Sequence, residues 1–530
     1  MQALTRQLGD VIPLPVSVRP DPAANFRIST DLSESAGGQT DLSESAGGQT
    51  DLSVSAPAEA ADIAEQLAEL LRQATGRPVS RTSGEDAGEG GSSFRILLDG
   101  YDKNAYDKNA YDNNAYDKNG KPAEAYGIEI NPESVTLRAG SNQGLFAALQ
   151  TLRQLLPEEP AAEIVLPGGR IEDEPRFAYR GTMLDLARHF FGPVEIRSFI
   201  DAIAQLKINY LHLHLTDDQG WRLEIPGRPK LTEIGGGPGT GVDGTGPGFL
   251  TIQEYADLVT YAAARYITIV PEIDMPGHVN VVQVAYPELT ADGQPVPPRT
   301  DAEVGYSSLV AAKEETYAFV EEVIRTVSEL TPGPYLHIGG DEAFSTPPED
   351  YREFLRRVLP MAGKYGKRAI GWHEIAAVDL PPTAIPQYWR IEPADGGVAQ
   401  AAAAGHQVIM SPADRSYLDM KYDQDSPLGL DWAGVVGVER SYDWDPADRL
   451  PGVGEESLLG VEAPLWSETL RSLADVQFMV FPRLAAIAEI GWTPRAEREW
   501  RSFRARLAAL GPRWTAQGIN YYRSPEIDWT

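Results

Sequence analysis

Two adjacent carboxylates, Asp341 and Glu342, follow a short apolar run and are the residues of this chain best suited to acid–base chemistry. The run at 335–338 begins after Pro334 and ends at a Gly-Gly pair, which predicts a buried strand and a turn. Successive strand residues point to opposite faces, so at least one carboxylate should be buried and therefore paired, hydrogen-bonded or protonated. A catalytic acid–base pair explains such an arrangement. The alternative is that Asp341 only caps the following helix.

Eight apolar runs in the C-terminal part of the chain predict the strands that must position these groups. They lie at 181–186, 210–216, 266–273, 335–339, 368–372, 385–389, 406–410 and 458–466. Helical patterns separate most of them, for example at 195–206, 252–265 and 314–330. This alternation predicts a (β/α)8 barrel, a fold in which catalytic groups gather at the C-terminal ends of the strands.

Polar and aromatic side chains follow most of these predicted strands, where a barrel would place its active site. Indole rings pack against the C–H faces of sugars, and carboxylates with arginine bind sugar hydroxyls. The joint placement favours a sugar site more strongly than any single motif does. The residues concerned are Asp217, Asp218, Asp274, His278, Asp341, Glu342, Trp372, Trp389, Trp466 and Glu468.

The first part of the chain has a different pattern. All seven histidines and all ten tryptophans lie at or after position 189, which places the chemistry in the C-terminal part. Helices predicted at 58–74 and 144–156 and strands predicted at 94–98, 126–130 and 134–137 indicate a small α+β domain. We therefore predict two domains, at 1–174 and 175–530. A ten-residue repeat that starts at 31 and a five-residue repeat at 101–120 are predicted to be surface loops, and neither is assigned a function.

Composition excludes several classes of partner. Lys and Arg total 46 against 77 for Asp and Glu, and the resulting net charge of −31 argues against nucleic acid or anionic membranes. The absence of cysteine excludes disulfides and cysteine-ligated zinc. No apolar run is long enough to cross a bilayer. The expectation is a soluble protein, either cytoplasmic or a mature form whose export signal has been removed.

Four motifs, in order along the chain, resemble those of glycoside hydrolase family 20, the β-N-acetylhexosaminidases. They are Arg-His-Phe-Phe at 188–191, the segments 212–221 and 271–278, and His-Ile-Gly-Gly-Asp-Glu at 337–342. The chain looks most like the bacterial exo-enzymes that carry a small α+β domain before the barrel. The resemblance implies retaining hydrolysis of terminal GlcNAc, and of GalNAc, from a small glycan or chitooligosaccharide. It also implies that the 2-acetamido oxygen of the substrate is the nucleophile, through an oxazoline-type intermediate, with no cofactor or metal.

The same resemblance implies roles for five catalytic residues. Glu342 would protonate the leaving oxygen and later activate water, and Asp341 would accept the acetamide N–H. Tyr417 would donate to the acetamide oxygen. Asp274 and His278 would form a relay that adjusts the acid.

The remaining family positions imply contacts with the sugar. Three tryptophans would enclose the acetamide methyl group, a fourth would lie beside the next sugar, and four charged residues would hold the ring hydroxyls. The tryptophans are Trp372, Trp389, Trp466 and, at the next sugar, Trp432; the charged residues are Arg188, Asp217, Asp419 and Glu468.

Other interpretations compete with these. His212 and His214 could indicate a metal-dependent barrel hydrolase, although no further ligand set is evident and packing in the interior explains them better. A sugar-binding protein on a decayed barrel would have lost Asp341, Glu342 or Tyr417, all of which are present. A conventional glycosidase would need a nucleophile such as Glu468 about 5–5.5 Å from the acid. The tryptophans could be core, and Arg188 could simply neutralise Asp217.

Overall fold

The computed structural model describes residues 6–29, 52–83, 93–98, 122–161, 163–391 and 396–529. The repeats at 31–50 and 101–120, predicted to be loops, lie outside these residues. The partial third copy that begins at 51 runs into a strand, because Val54 and Ala56 are buried in the core. Within the described ranges, no helix is both long and apolar enough to cross a membrane.

The N-terminal part forms a sheet in the order β1-β9-β6-β7-β5-β3-β4, with β2 and β8 paired separately. The predicted helices are confirmed as Ala61–Thr75, which follows a 3-10 turn at Ala58–Ala60, and Asn142–Leu155. The first buries Ile63, Leu67 and Leu71 on one face and ends at Gly76, whose φ of +66° stops the helix. The strands are β1 Ser17–Pro20, β2 Phe26–Ser29, β3 Ser53–Ala56, β4 Ser80–Ser83, β5 Phe94–Leu98, β6 Tyr126–Ile130, β7 Val135–Ala139, β8 Glu163–Leu166 and β9 Gly169–Asp173.

The C-terminal part is a closed (β/α)8 barrel, as predicted, with eight parallel strands in the described part of the chain. A small hairpin, β12 Thr216–Asp217 with β13 Gly220–Trp221, follows the second barrel strand. The barrel strands are β10 Tyr179–Asp185, β11 Tyr210–His214, β14 Thr268–Glu272, β15 Tyr335–His337, β16 Arg368–Trp372, β17 Ile385–Tyr388, β18 Val408–Met410 and β19 Leu458–Ala463. The main outer helices are Pro193–Ala204, Ile252–Ala263, Glu314–Leu330, Pro348–Lys364, Gly396–Ala403, Leu473–Val480 and Arg483–Trp492.

The barrel interior changes from apolar to ionic along its axis. Side chains alternate along a strand, so Leu211 and Leu213 of β11 pack under the outer helices, while Tyr210 joins an apolar layer inside the barrel. The next inward positions, His212 and His214, are fully buried. Buried polar groups are costly unless they are paired, so this layer must satisfy itself or serve the site above it.

An ion pair joins the N-terminal sheet to the barrel. Nζ of Lys207 lies 3.2 Å from Oδ2 of Asp173, donates to Oη of Tyr126 at 2.9 Å and stands 4.3 Å from the ring centroid of Trp492. Both charged groups are buried. Their contacts tie the last strand of the sheet to the loop that precedes β11.

Replacing Lys207 by methionine is expected to lower the free energy of unfolding by about 3 kcal/mol, because it leaves Asp173 as an uncompensated buried charge. Urea unfolding followed by circular dichroism measures the change. The double variant with Asp173→Asn should recover part of the loss. Additive losses in this double-mutant cycle would show that the two residues do not interact.

Candidate active site

The segment between β15 and the next helix has a backbone that only special residues adopt. Gly339 and Gly340 have φ values of +67° and +99°, and a Cβ atom on Gly339 would lie 1.7 Å from Oδ1 of Asp274. Glu342 itself has a φ of +45°. This turn directs the Asp341 side chain inward, where the residue is 8% exposed, and leaves the Glu342 side chain 25% exposed.

Helix capping does not explain the two carboxylates. The next helix begins only at Pro348, after Pro347, whose side chain makes no cap hydrogen bond. Asp341 and Glu342 instead face His278, whose Nε2 lies 3.7 Å from Oδ2 of Asp341 and 3.6 Å from Oε2 of Glu342. One imidazole therefore serves both carboxylates.

His278 contacts a carboxylate that the sequence did not pair with it. Nδ1 of His278 lies within hydrogen-bond distance, 3.1 Å, of Oδ1 of Asp217. Asp274, the predicted relay partner, accepts the N–H of Gly340 at 3.1 Å and also lies near His278, with ligand atoms of the two residues within 4.8 Å of each other. The relay of Asp274 and His278 stays a prediction, and the hairpin β12–β13 supplies Asp217 as a further partner.

Asp217 is held by contacts within the protein, and its predicted contact with a sugar hydroxyl stays a prediction. It is buried, and its Oδ2 lies 2.8 Å from Nη2 of Arg188 and 2.9 Å from Nε2 of His214. These cations and His278 occupy both of its oxygens. Arg188 forms an ion pair with Asp217 and also approaches Glu468, at 3.9 Å, and its predicted contact with the sugar stays a prediction.

Burial and neighbouring carboxylates shift the proton equilibria at the centre of the site. Burial, with Asp274 beside it, raises the pKa of Asp341 well above its ordinary value. Burial likewise raises the pKa of Asp274 to about 7, partly opposed by His278. For His278, burial alone would lower the pKa, but Asp217, Asp341 and Asp274 raise it well above its ordinary value. The site therefore combines a buried imidazolium with carboxyl groups whose ionised forms need a hydrogen-bond donor or a cation beside them.

The raised pKa of Asp274 predicts a pH-dependent stability. Between about pH 4 and pH 7 the native state keeps a proton that the unfolded state has released, so this group stabilises the fold less as pH rises. The Asp274→Asn variant lacks this loss. The Tm of the variant minus the Tm of wild type should therefore increase by about 2 °C or more between pH 5 and pH 8. Calorimetry measures the difference. In the control Asp443→Asn, at an exposed position, the Tm difference from wild type should not change with pH. The prediction is contradicted if the Tm difference of Asp274→Asn does not change with pH either.

A connected set of aromatic rings walls the space beside Asp341. Trp372 is buried and contacts Trp466 at 5.7 Å between ring centroids. Tyr417 contacts Trp466 at 6.4 Å and Trp432 at 5.9 Å, and Trp432 contacts Trp389 at 5.9 Å. Trp432 remains 49% exposed, at the rim.

Several buried polar atoms in this region lack a hydrogen-bond partner among the described residues. Native proteins satisfy most such atoms, so a group of them marks a place where a polar ligand belongs. Burial and the neighbouring Glu468 raise the pKa of Asp419 well above its ordinary value. The atoms are Oδ1 of Asp341, both carboxylate oxygens of Asp419, Oε2 of Glu468 and Nε2 of His278.

An open cavity of about 660 Å³ adjoins the other side of Glu342. Phe344, which is 75% exposed, lines it together with Tyr351 and Glu374. Oη of Tyr351 donates to the carbonyl of Gly340 at 2.5 Å and supports the turn. Glu342 therefore stands between the aromatic pocket and open space.

The structure shows possible metal ligands beside His212 that were not evident from the sequence. Glu272 and His337 lie beside His212, with ligand atoms within 4.8 Å of one another. The fit to a metal is poor, because Glu272 already takes the indole N–H of Trp372 at 3.0 Å and faces three imidazoles. Sequence reasoning gave Glu272 no role, because its partners come from other strands.

This barrel, with its carboxylate pair beside an indole-walled pocket, is that of a glycoside hydrolase. Two family models cover most of the chain: "Glycosyl hydrolase family 20, domain 2" matches residues 9–174, and "Glycosyl hydrolase family 20, catalytic domain" matches residues 177–351 and 344–495. The chain belongs to glycoside hydrolase family 20, the family of the β-hexosaminidases.

Individual relatives agree with this assignment. A beta-N-acetylhexosaminidase of Cellulomonas fimi is 42% identical over 412 residues, which are 77% of this chain and 82% of that protein. A mutant Streptomyces plicatus beta-hexosaminidase, solved in complex with product (GlcNAc), superimposes with a TM-score of 0.87 at 43% identity, covering 99% of this chain and 98% of that one. The beta-N-acetylhexosaminidase of Streptomyces coelicolor A3(2) gives 0.87 at 43% identity, covering 99% of each chain.

Proposed function

We propose that this protein is an exo-acting, retaining β-N-acetylhexosaminidase that removes terminal GlcNAc or GalNAc by substrate-assisted catalysis. The observation that carries the proposal is the group of buried, unpartnered atoms of Asp341, Asp419 and Glu468 beside the tryptophan wall. A sugar with one acetamide and several hydroxyls supplies donors for these carboxylates and C–H faces for the rings. The domain division at 1–174 and 175–530 remains part of the same proposal.

The reaction follows from the placement of the two adjacent carboxyl groups. Asp341 accepts the acetamide N–H and holds the carbonyl oxygen against the anomeric carbon, and Tyr417 donates to that oxygen. Glu342 protonates the departing oxygen as the acetamide oxygen attacks, which gives an oxazoline-type intermediate. Glu342 then takes a proton from water, which attacks from the side the leaving group vacated, so the configuration is retained.

Exo-action is supported by the charged side chains beside Trp466. Arg188 and Asp419 are buried, Glu468 is half-buried, and the guanidinium of Arg188 stands 4.8 Å from the ring centroid of Trp466. In the proposed complex these groups bind ring hydroxyls and leave no room for a further sugar at the non-reducing end. The leaving sugar would extend past Glu342 toward Trp432, or toward the cavity at Phe344.

The test compares nitrophenyl β-glycosides that differ only at C2. The 2-acetamido glucoside should be cleaved and the plain glucoside should not, because only the first carries the nucleophile. Substituting one, two and three fluorines on the acetyl group should lower kcat progressively, since each fluorine withdraws electrons from the attacking oxygen. Equal cleavage of both sugars would instead support the conventional mechanism with Glu468 as nucleophile.

A further inference from the structure

A chain of alternating imidazole and carboxylate groups runs from Glu342 down into the barrel. From His278 it passes to Asp217 at 3.1 Å, and from the other oxygen of Asp217 to Nε2 of His214 at 2.9 Å. Nδ1 of His214 then lies 2.5 Å from Oε2 of Glu272. His278, Asp217 and His214 each contact their two neighbours through two different atoms, so the chain is continuous.

The chain continues to the opposite wall of the barrel. Oε2 of Glu272 also lies 2.9 Å from Nε2 of His212, whose Nδ1 lies 2.9 Å from Oε1 of Glu462. Glu462 ends the series, because it takes the hydroxyl of Tyr179 at 2.6 Å and the amide of Gln387 at 2.7 Å. These residues belong to five barrel strands, and all are buried.

Alternating charge explains how so many polar groups share one core. Burial alone would lower the pKa of His214, but Glu272 and Asp217 raise it well above its ordinary value. Burial alone would raise the pKa of Glu272, but His337, His214 and His212 lower it well below its ordinary value. His337 is the exception. Burial lowers its pKa, so its ring is neutral when it contacts Glu272.

A purely structural layer would not need to end at the reaction centre. This one delivers its last ring nitrogen to a point between Asp341 and Glu342. An apolar layer would stabilise a barrel interior at least as well as buried ion pairs do. The continuity with the site therefore points to a role in the reaction.

We propose that His214 and Glu272 are positioning residues of the reaction. They hold Asp217 in place, and Asp217 in turn holds the ring of His278 in the orientation and charge state in which it faces the Glu342 carboxyl group. The inference rests on the proposed function, since it takes Glu342 as the proton donor. His278 then stabilises the carboxylate that Glu342 becomes when it gives its proton to the leaving oxygen. Charged groups reach His214 and its neighbours from several elements. They are Asp185 at the end of β10, Arg188 after it, Asp217 in the hairpin, Glu272 and Asp274 at β14, Asp341 and Glu342 after β15, and Glu462 in β19.

The test compares two substitutions: one removes the charged imidazole of His214, and the other removes the neutral imidazole of His337. His214→Gln keeps a donor toward Asp217 but removes a positive charge. We expect kcat to fall about tenfold with KM changed less than about twofold. Both limbs of the pH profile of kcat should move about half a unit to higher pH, because carboxyl groups near a lost cation hold their protons longer. His337→Gln contacts the same Glu272 but removes no charge, so it should leave the limbs in place.

A second readout does not depend on activity. The chain has only seven histidines, so ¹⁵N-histidine labelling resolves the ring of His278, assigned by its loss in His278→Gln. Its nitrogen resonances should shift in His214→Gln and not in His337→Gln. Unchanged limbs and unchanged His278 resonances in His214→Gln would overturn the inference. If the wild type does not cleave the acetamido sugar, the proposed function fails, and the resonances alone decide the inference.

Discussion

Replacing Glu342 by glutamine is expected to lower kcat/KM on a β-linked GlcNAc disaccharide by about 10²–10⁴-fold, the usual contribution of a positioned general acid. The amide keeps the size of the side chain and cannot give a proton to the departing sugar. A dinitrophenyl leaving group departs without a proton, so its kcat/KM should fall by less than about tenfold. Steady-state kinetics on the two substrates measure the difference.

Glu374→Gln is the matched control for this experiment. Glu374 is another carboxylate that lines the cavity beside Glu342, and it accepts the indole N–H of Trp389 at 3.1 Å. Its substitution should lower kcat/KM on both substrates alike. An equal loss for both leaving groups in Glu342→Gln would show that Glu342 is not the proton donor.

Asp341→Asn should lower kcat on the nitrophenyl acetamido glucoside by about 10²–10³-fold, the range found when one stabilising group is removed from a developing charge. The acetamide N–H becomes positive as its oxygen attacks, and a carboxylate stabilises that charge where an amide does not. KM should change little, because asparagine still accepts a hydrogen bond. Initial rates over a range of substrate concentrations separate the two parameters.

Stability provides the control for Asp341. Burial and Asp274 already hold the Asp341 carboxyl group toward its neutral form, so the amide should not lower Tm. Loss of activity together with loss of folding would show that the effect is structural. Retention of most of the activity would remove Asp341 from the mechanism.

The barrel and the position of its site could be predicted because both follow local rules. Each barrel strand is an apolar run bounded by polar residues or glycine, and the strand-end rule brought Asp341, Glu342, Trp372 and Trp466 to one region before any contact was known. The short N-terminal strands β1, β2, β3, β4, β8 and β9 were not predicted. Two of them, β4 and β9, consist mostly of polar residues and therefore lack a clear apolar period.

The contacts inside the site could not be predicted, since they depend on register between distant strands. Asp217 and Asp274 both follow a barrel strand, and the hydrogen-bond distance between Asp217 and His278 depends on the hairpin after β11. In the same way, the contacts of Glu272 with His212 and His337 come from separate strands. The spacing along the sequence predicts the end of the barrel at which a group lies. The register between strands determines which groups it contacts.

The left-handed backbone at Glu342 and His278, with φ values of +45° and +55°, sets fold stability against catalysis. Residues other than glycine in such conformations cost about 1–3 kcal/mol each, and both are indispensable to the proposed chemistry. At the partly exposed Glu342, a glycine would relax the turn and yield a more stable, inactive protein, whereas at the buried His278 the lost contact with Asp217 offsets the relief. Selection for a longer-lived fold and selection for turnover therefore act on Glu342 in opposite directions, and the protein retains the less stable choice.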